Sequence, residues 1–267
     1  MKVISFGDSF TAGLGVDREY EEGLLGNHPN WDTMNEDEKT IQRGIVARFQ
    51  VNNSFTKFFS DMLKVKFLNH GEAGSSNIQI ISKIFALRKQ IEKQDLVIVG
   101  FTSSLRDPLP FLPLELDCKV SWNQNVFNEY KKFVIQPDEQ NLSIFFKEYS
   151  KLFLNNMWEK FSPYYEVYNE NMIYFLQKYF EYHEIKYILF DAFEPMIKSQ
   201  SNNIDKRFYW KFGTESLFSY LKKQNNNGLL EKKGYNVFNQ TPRHPSKKGH
   251  QVFAEKLFEF YKEAYDG

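Results

Sequence analysis

The chain has 267 residues, and its 34 basic and 34 acidic side chains cancel to a formal charge of zero. That balance speaks against a dedicated nucleic-acid binder, which carries a basic excess. The single cysteine, Cys118, excludes an internal disulfide and a multi-cysteine metal site, and no run reaches the roughly 18 apolar residues of a membrane span.

Apolar residues make up 42% and charged residues 25%, an ordinary globular balance. A chain of this length buries a sizeable core without a disulfide or metal staple. It reads as one domain over residues 1–267, interrupted by insertions at about 17–50 and 102–165. No basic stretch followed by a long apolar one opens the chain, so the expected location is the cytoplasm, with export inside a larger particle left open. The 27 Phe and 15 Tyr exceed what a core needs; some of these rings are expected at a binding surface, with AT-biased coding the alternative source of the excess.

In chain order, Val3 to Phe6 is the first apolar run that reads as a buried, parallel-type strand, and it leads straight into Gly7-Asp8-Ser9. Residues 17–50 form a polar, acidic excursion. Phe55, Phe58, Phe59, Met62 and Leu63 then recur at helical spacing before a second strand, Val65 to Leu68. Ile78, Ile81, Ile84, Phe85, Leu87 and Ile91 do the same before a third, Leu96 to Phe101. A second excursion, rich in proline and aromatics, covers residues 102–165. A helix over Met172 to Tyr182 precedes a fourth strand, Tyr187 to Phe190, and Val237 with Phe238 reads as a short fifth. After Pro245, a closing helix turns Val252, Phe253, Leu257, Phe260 and Tyr261 to one face. Alternating strands and helices imply a parallel sheet covered on both sides. Both excursions leave from carboxyl ends of strands, where open α/β sheets place ligands and long loops act as lids.

Three short stretches carry residues suited to chemistry. In "VISFGDSFTAG", Asp8 and Ser9 either cap the following helix or hold up Ser9 as a nucleophile. In "LNHGEAGSSN", Asn69, Gly71 and Gly74 form an N-x-G-x-x-G pattern whose glycines let backbone amides approach a substrate closely; the alternative is a plain strand-to-helix turn capped by Ser75 or Ser76. In "TPRHPSKKGH", His244 stands before a proline and outside the closing helix, as a loop base would. His250 falls within that helix, where a structural role is open to it. His28 lies in the first excursion, His70 in a turn and His183 near a helix end.

Together, "FGDSFTAG", "NHGEAG" and "HPSKKGHQVFAEKL" resemble the SGNH (GDSL-type) hydrolase family in order and placement, over most of the chain. The resemblance implies an α/β, three-layer α/β/α, flavodoxin-like fold with strand order 2-1-3-4-5. It also implies Ser9 as nucleophile, His244 as base, and the amides of Ser9 and Gly74 as oxyanion donors. Two departures stand out. The family has G-x-N-D after the third strand, whereas "VGFTSSLRD" keeps Gly100 but sets Thr102 in the asparagine's place, followed by Ser103. The family also has D-x-x-H, and Thr241 holds the aspartate's place in "TPRH".

Loss of one oxyanion donor costs about 10²–10³ in rate when nothing replaces it. The Thr102 hydroxyl, the Ser103 hydroxyl and the Asn77 amide are the candidate replacements. Replacing the orienting aspartate of a serine protease by asparagine costs about 10⁴, so Thr241 or a nearby carbonyl is expected as a weak third partner of a Ser9–His244 dyad. Asp8, Ser103 and Arg106 are candidates for substrate binding, with loop bracing the alternative for Arg106. No metal or cofactor is expected. The favoured activity is hydrolysis of an acyl ester, with a small-molecule or glycan ester as partner. Trp31, Trp122 and Tyr130 tilt the choice toward an O-acetyl group on a carbohydrate, because aromatic faces stack on sugars. The alternatives are a catalytically weak binding protein using the same cleft and an O-acyltransferase.

Overall fold

A computed structural model describes residues 1–16, 33–103, 158–197, 201–224, 229–230 and 244–266, with side chains in the 158–182 helix from residue 166 onward. Four strands, β1 (Lys2–Gly7), β2 (Lys66–Gly71), β3 (Leu96–Phe101) and β4 (Lys186–Asp191), form a parallel sheet in the order β2-β1-β3-β4. The register sets Ser5 against Asn69, Phe6 against Val99 and Gly100 against Phe190. This is the expected order for the first four strands. The fifth strand expected at Val237 and Phe238 lies outside the described residues.

Side chains on successive strand positions point to opposite faces, and the core divides accordingly. Val3, Leu96, Ile98, Ile188 and Phe190 pack on one face with Phe55 and Phe59 of α3 (Phe55–Leu63), Leu217 and Leu221 of α6 (Leu217–Lys223), and Phe253 and Leu257 of α7 (Lys247–Tyr265). Ile4, Phe6, Val97, Val99, Phe101 and Leu189 pack on the other face with Ile80 and Ile84 of α4 (Asn77–Ala86). Ile173, Leu176 and Phe180 of α5 (Trp158–Tyr182) complete that layer. Helices thus cover both faces of a parallel α/β sheet, the three-layer arrangement expected from the alternating elements. No helix among the described residues is long and apolar enough to cross a membrane.

Two elements differ from expectation. The second strand, read as fully buried, has Leu68 37% exposed. It occupies an edge of the described sheet and pairs there with β1 alone, so its apolar run does not report complete burial. The second half of the first excursion is a helix, α2 (Glu36–Asn52). Asn35 caps it by accepting from the Glu38 amide, while the Glu38 carboxylate accepts from the Asn35 amide. Only Val46 of this helix is buried. The polar composition hid a helix whose start is marked by a capping box.

His250 and Asp191 are among the ionisable side chains buried in the core. Nδ1 of His250 accepts from the Phe55 amide at 3.2 Å, which leaves the proton on Nε2, where it has no partner among the described residues. Burial, with His244 adding to it, pushes this imidazole down to about 3. Asp191, at the end of β4, accepts from the Tyr209 hydroxyl at 2.8 Å. Burial raises its carboxyl to about 7, against the opposing effect of the Tyr209 and Met196 hydrogen bonds.

The two groups act on stability with opposite sign. Between about pH 4 and 6.5 the unfolded chain protonates His250 and the fold does not, so this group makes stability rise with pH. Over the same window the unfolded chain ionises Asp191 while the fold keeps it protonated, so that group makes stability fall with pH. Each slope is about 1.4 kcal/mol per pH unit, and in the wild type they oppose each other. Urea unfolding at about pH 4.5 and about pH 6.5 should separate them. Relative to wild type, Asp191→Asn should gain about 2–3 kcal/mol on going to the higher pH, and His250→Gln should lose a similar amount.

Candidate active site

β1 delivers the nucleophile candidate. The strand ends at Gly7, Asp8 caps a short helix, α1 (Ser9–Ala12), and Ser9 is its first residue. One Asp8 carboxylate oxygen accepts from the Phe10 amide at 3.0 Å, the usual reach of an N-cap side chain. The other accepts from the Thr102 hydroxyl at 2.7 Å. The sequence posed capping and nucleophile as alternatives, yet the structure assigns the cap to Asp8 and leaves the Ser9 hydroxyl for another partner.

That partner is His244. Its Nε2 lies 3.0 Å from Ser9 Oγ, across 235 positions of sequence. Several backbone contacts hold the histidine there. Pro245 bridges to Leu230, the Ser246 amide donates to the Leu229 carbonyl, and the Lys247 amide donates to Val16, in the turn just beyond α1. Ser246 then caps α7 by accepting from Gly249. Gly249 is required by close approach, because a Cβ there would sit 2.0 Å from the Leu229 carbonyl oxygen. The His244 ring also packs against the Phe10 ring at 5.3 Å. Ser9 itself is only 4% exposed.

The loop after β2 starts beside the same turn, with the Glu72 amide donating to the Gly7 carbonyl at 2.9 Å. Asn69 anchors it by donating to the Thr11 carbonyl and to Ser54 Oγ, and by accepting from the Gly71 amide. Gly74 has φ +84°, and a Cβ there would meet nothing within 4 Å. Among the described residues nothing crowds this position, so it is glycine for its backbone conformation. Among the described residues, neither the Ser9 amide nor the Gly74 amide donates to a protein acceptor.

The block after β3 packs against the turn at Asp8 and the loop at Glu194. Thr102 is fully buried and its hydroxyl donates to Asp8. The Asn77 carboxamide grips the Thr102 backbone from both sides, accepting from its amide at 2.8 Å and donating to its carbonyl at 3.2 Å. Ser103 donates to Glu194 at 2.5 Å. The structure therefore brings Ser9, His244, Asp8, Thr102 and Asn77 into one connected set, and it pairs Ser103 with Glu194 beside it. Thr241 and Arg106 lie outside the described residues, as do Trp31, Trp122 and Tyr130.

Glu194 was not singled out from sequence. It belongs to "FDAFEP", which ends β4 and continues beyond it, and the rule that loops at carboxyl ends of strands build sites applies to it equally. Phe193 and Phe218 of the same neighbourhood stack at 5.5 Å, and both reach Phe10. A cavity of about 570 Å³, lined by Arg88, Lys89, Tyr179 and His183 among others, opens instead beside the starts of β3 and β4.

Fold and site together define a parallel α/β protein with a serine–histidine pair at the carboxyl edge of its sheet. No family model and no curated protein matches the chain. Among solved structures, a protein from Desulfitobacterium hafniense assigned as lipolytic, of the G-D-S-L family, is similar at 16% identity and a TM-score of 0.41. The match covers 97% of this chain and 98% of that one.

Asn69 ties the start of the Gly74 loop to Thr11 of α1 and to Ser54 at the start of α3, and it accepts from the loop's own Gly71 amide. Asn69→Ala is expected to cost about 2–3 kcal/mol in urea unfolding, since it leaves partly buried backbone groups without partners.

Proposed function

We propose that the protein is a serine hydrolase of acyl esters. The observation that carries this reading is the 3.0 Å contact between Ser9 Oγ and His244 Nε2 at the carboxyl edge of the sheet. In this reading Nε2 takes the Ser9 proton as Oγ attacks the acyl carbonyl carbon. The carbonyl π electrons move onto oxygen, and the Ser9 and Gly74 amides receive the resulting oxyanion. Collapse of the tetrahedral species breaks the bond to the alcohol, which leaves with the proton from His244. Water, deprotonated by the same nitrogen, then attacks the acyl-serine, and the acid departs as Oγ regains its proton.

The orientation of Thr102 bears on how many donors the oxyanion meets. A hydroxyl has one proton, and here Asp8 receives it. The hole is accordingly proposed as two backbone amides, and catalysis as slower than with three donors by up to about 10²–10³. The Asn77 carboxamide, engaged at both ends by Thr102, braces the loop in this reading. An O-acetyl ester on a carbohydrate is the proposed substrate subclass. Its support is the sequence positions of Trp31, Trp122 and Tyr130 within the two excursions.

The test is turnover of short chromogenic acyl esters. Wild type should hydrolyse an acetyl ester, and Ser9→Ala and His244→Ala should each lower kcat at least about 10³-fold with the fold intact by circular dichroism. Activity that survives Ser9→Ala would remove the reading. Added acceptor sugars separate transfer from hydrolysis, because only a transferase would form acylated sugar at the expense of free acid.

A further inference from the structure

Asp8, Thr102 and Asn77 are all fully buried, and they form a single line of hydrogen bonds. It starts at the first residue of α4, where the Asn77 carboxamide fixes the Thr102 backbone at two points. It passes through the Thr102 hydroxyl to one oxygen of Asp8, and from the other oxygen to the Phe10 amide. Phe10 follows the nucleophile directly, and its ring rests on His244. A displacement of Phe10 therefore moves both members of the dyad at once.

The direction of each bond matters. Thr102 Oγ1 donates and the Asp8 carboxylate only accepts, so the hydroxyl proton is committed downward to the turn under Ser9. A side chain in this position cannot give the same proton to a substrate oxygen. We infer that Thr102 is a positioning residue, which acts through Asp8 to fix the Ser9 turn against His244 rather than by touching the reacting acyl group. The inference rests on the hydrolase reading above. Misplacement of a reacting atom by about 1 Å can cost 10²-fold in rate, which sets the scale of the effect.

The experiment measures two quantities on the full chain. The first is the second-order rate at which Ser9 is labelled by a fluorophosphonate, which reports nucleophile geometry without a known substrate. The second is hydrogen exchange at the Phe10 amide. Thr102→Val keeps the side-chain shape and removes the hydroxyl; Thr102→Ala is the alternative if valine does not fold. Either should slow labelling at least about 10-fold and speed Phe10 exchange by a similar factor. Thr102→Ser should restore both to within about 3-fold of wild type, because it retains the donor. In an Asp8→Asn background, Thr102→Val should add little further loss, since the two act through one contact.

Wild-type labelling rates in Thr102→Val, unchanged Phe10 exchange, failure of serine to rescue, or fully additive losses with Asp8→Asn would each overturn the inference. Failure of the wild-type protein to take up the probe at Ser9 overturns the hydrolase reading itself, and with it this inference. That result appears before any Thr102 variant is compared, so the two failures are distinguishable.

Discussion

The hydrogen bond between Ser9 and His244 depends on a more modest contact, the amide of Lys247 donating to the carbonyl of Val16. The first pair joins side chains from opposite ends of the chain, and side chains alone hold such distant segments poorly. Closing a long loop costs conformational entropy that one side-chain hydrogen bond does not recover. The backbone bonds at Ser246 and Lys247, with the packing of α7 on α3, supply what the dyad cannot. The site is thus assembled by the same packing that makes the core, and the dyad is its by-product rather than its cause.

Three loops leave the carboxyl edge of the sheet or return to it, each fixed by a different device. The Ser9 turn is held by the cap at Asp8, and the Gly74 loop by the three bonds of Asn69. The His244 segment is held by backbone pairing with Leu229 and Leu230. Thr102 ties the third strand to the first of these. A buried carboxylate is costly unless its oxygens are met by donors, and Asp8 meets the Phe10 amide and the Thr102 hydroxyl on separate oxygens. The arrangement converts a costly group into a rigid support.

Strands were legible because their Val, Ile, Leu and Phe runs have no other stable home in a chain of this length. All four appear within a few residues of their expected bounds. The edge position of β2 was not legible, since an apolar run reads alike whether it has one neighbour or two. The helix over Glu36–Asn52 was missed because its signal was a cap, Asn35 with Glu38, rather than an apolar stripe. Ser9 and His244 were legible as residue types in suitable loops, and their meeting is a property of the fold. The direction of the Thr102 hydroxyl was beyond the sequence. It depends on where residues 8, 77 and 102 come together, and local pattern holds no trace of that.

Because every described strand runs the same way, all strand ends that carry these polar groups share one rim, and all strand beginnings share the other. The two rims therefore face different pressures. Drift in residues around the strand beginnings, such as Ile91 and Ile185, is felt chiefly as a change in folding free energy. Drift at the opposite rim is felt first in the contacts that join Ser9, His244, Asp8 and Thr102. A protein built this way can exchange much of one end while the other stays in tune.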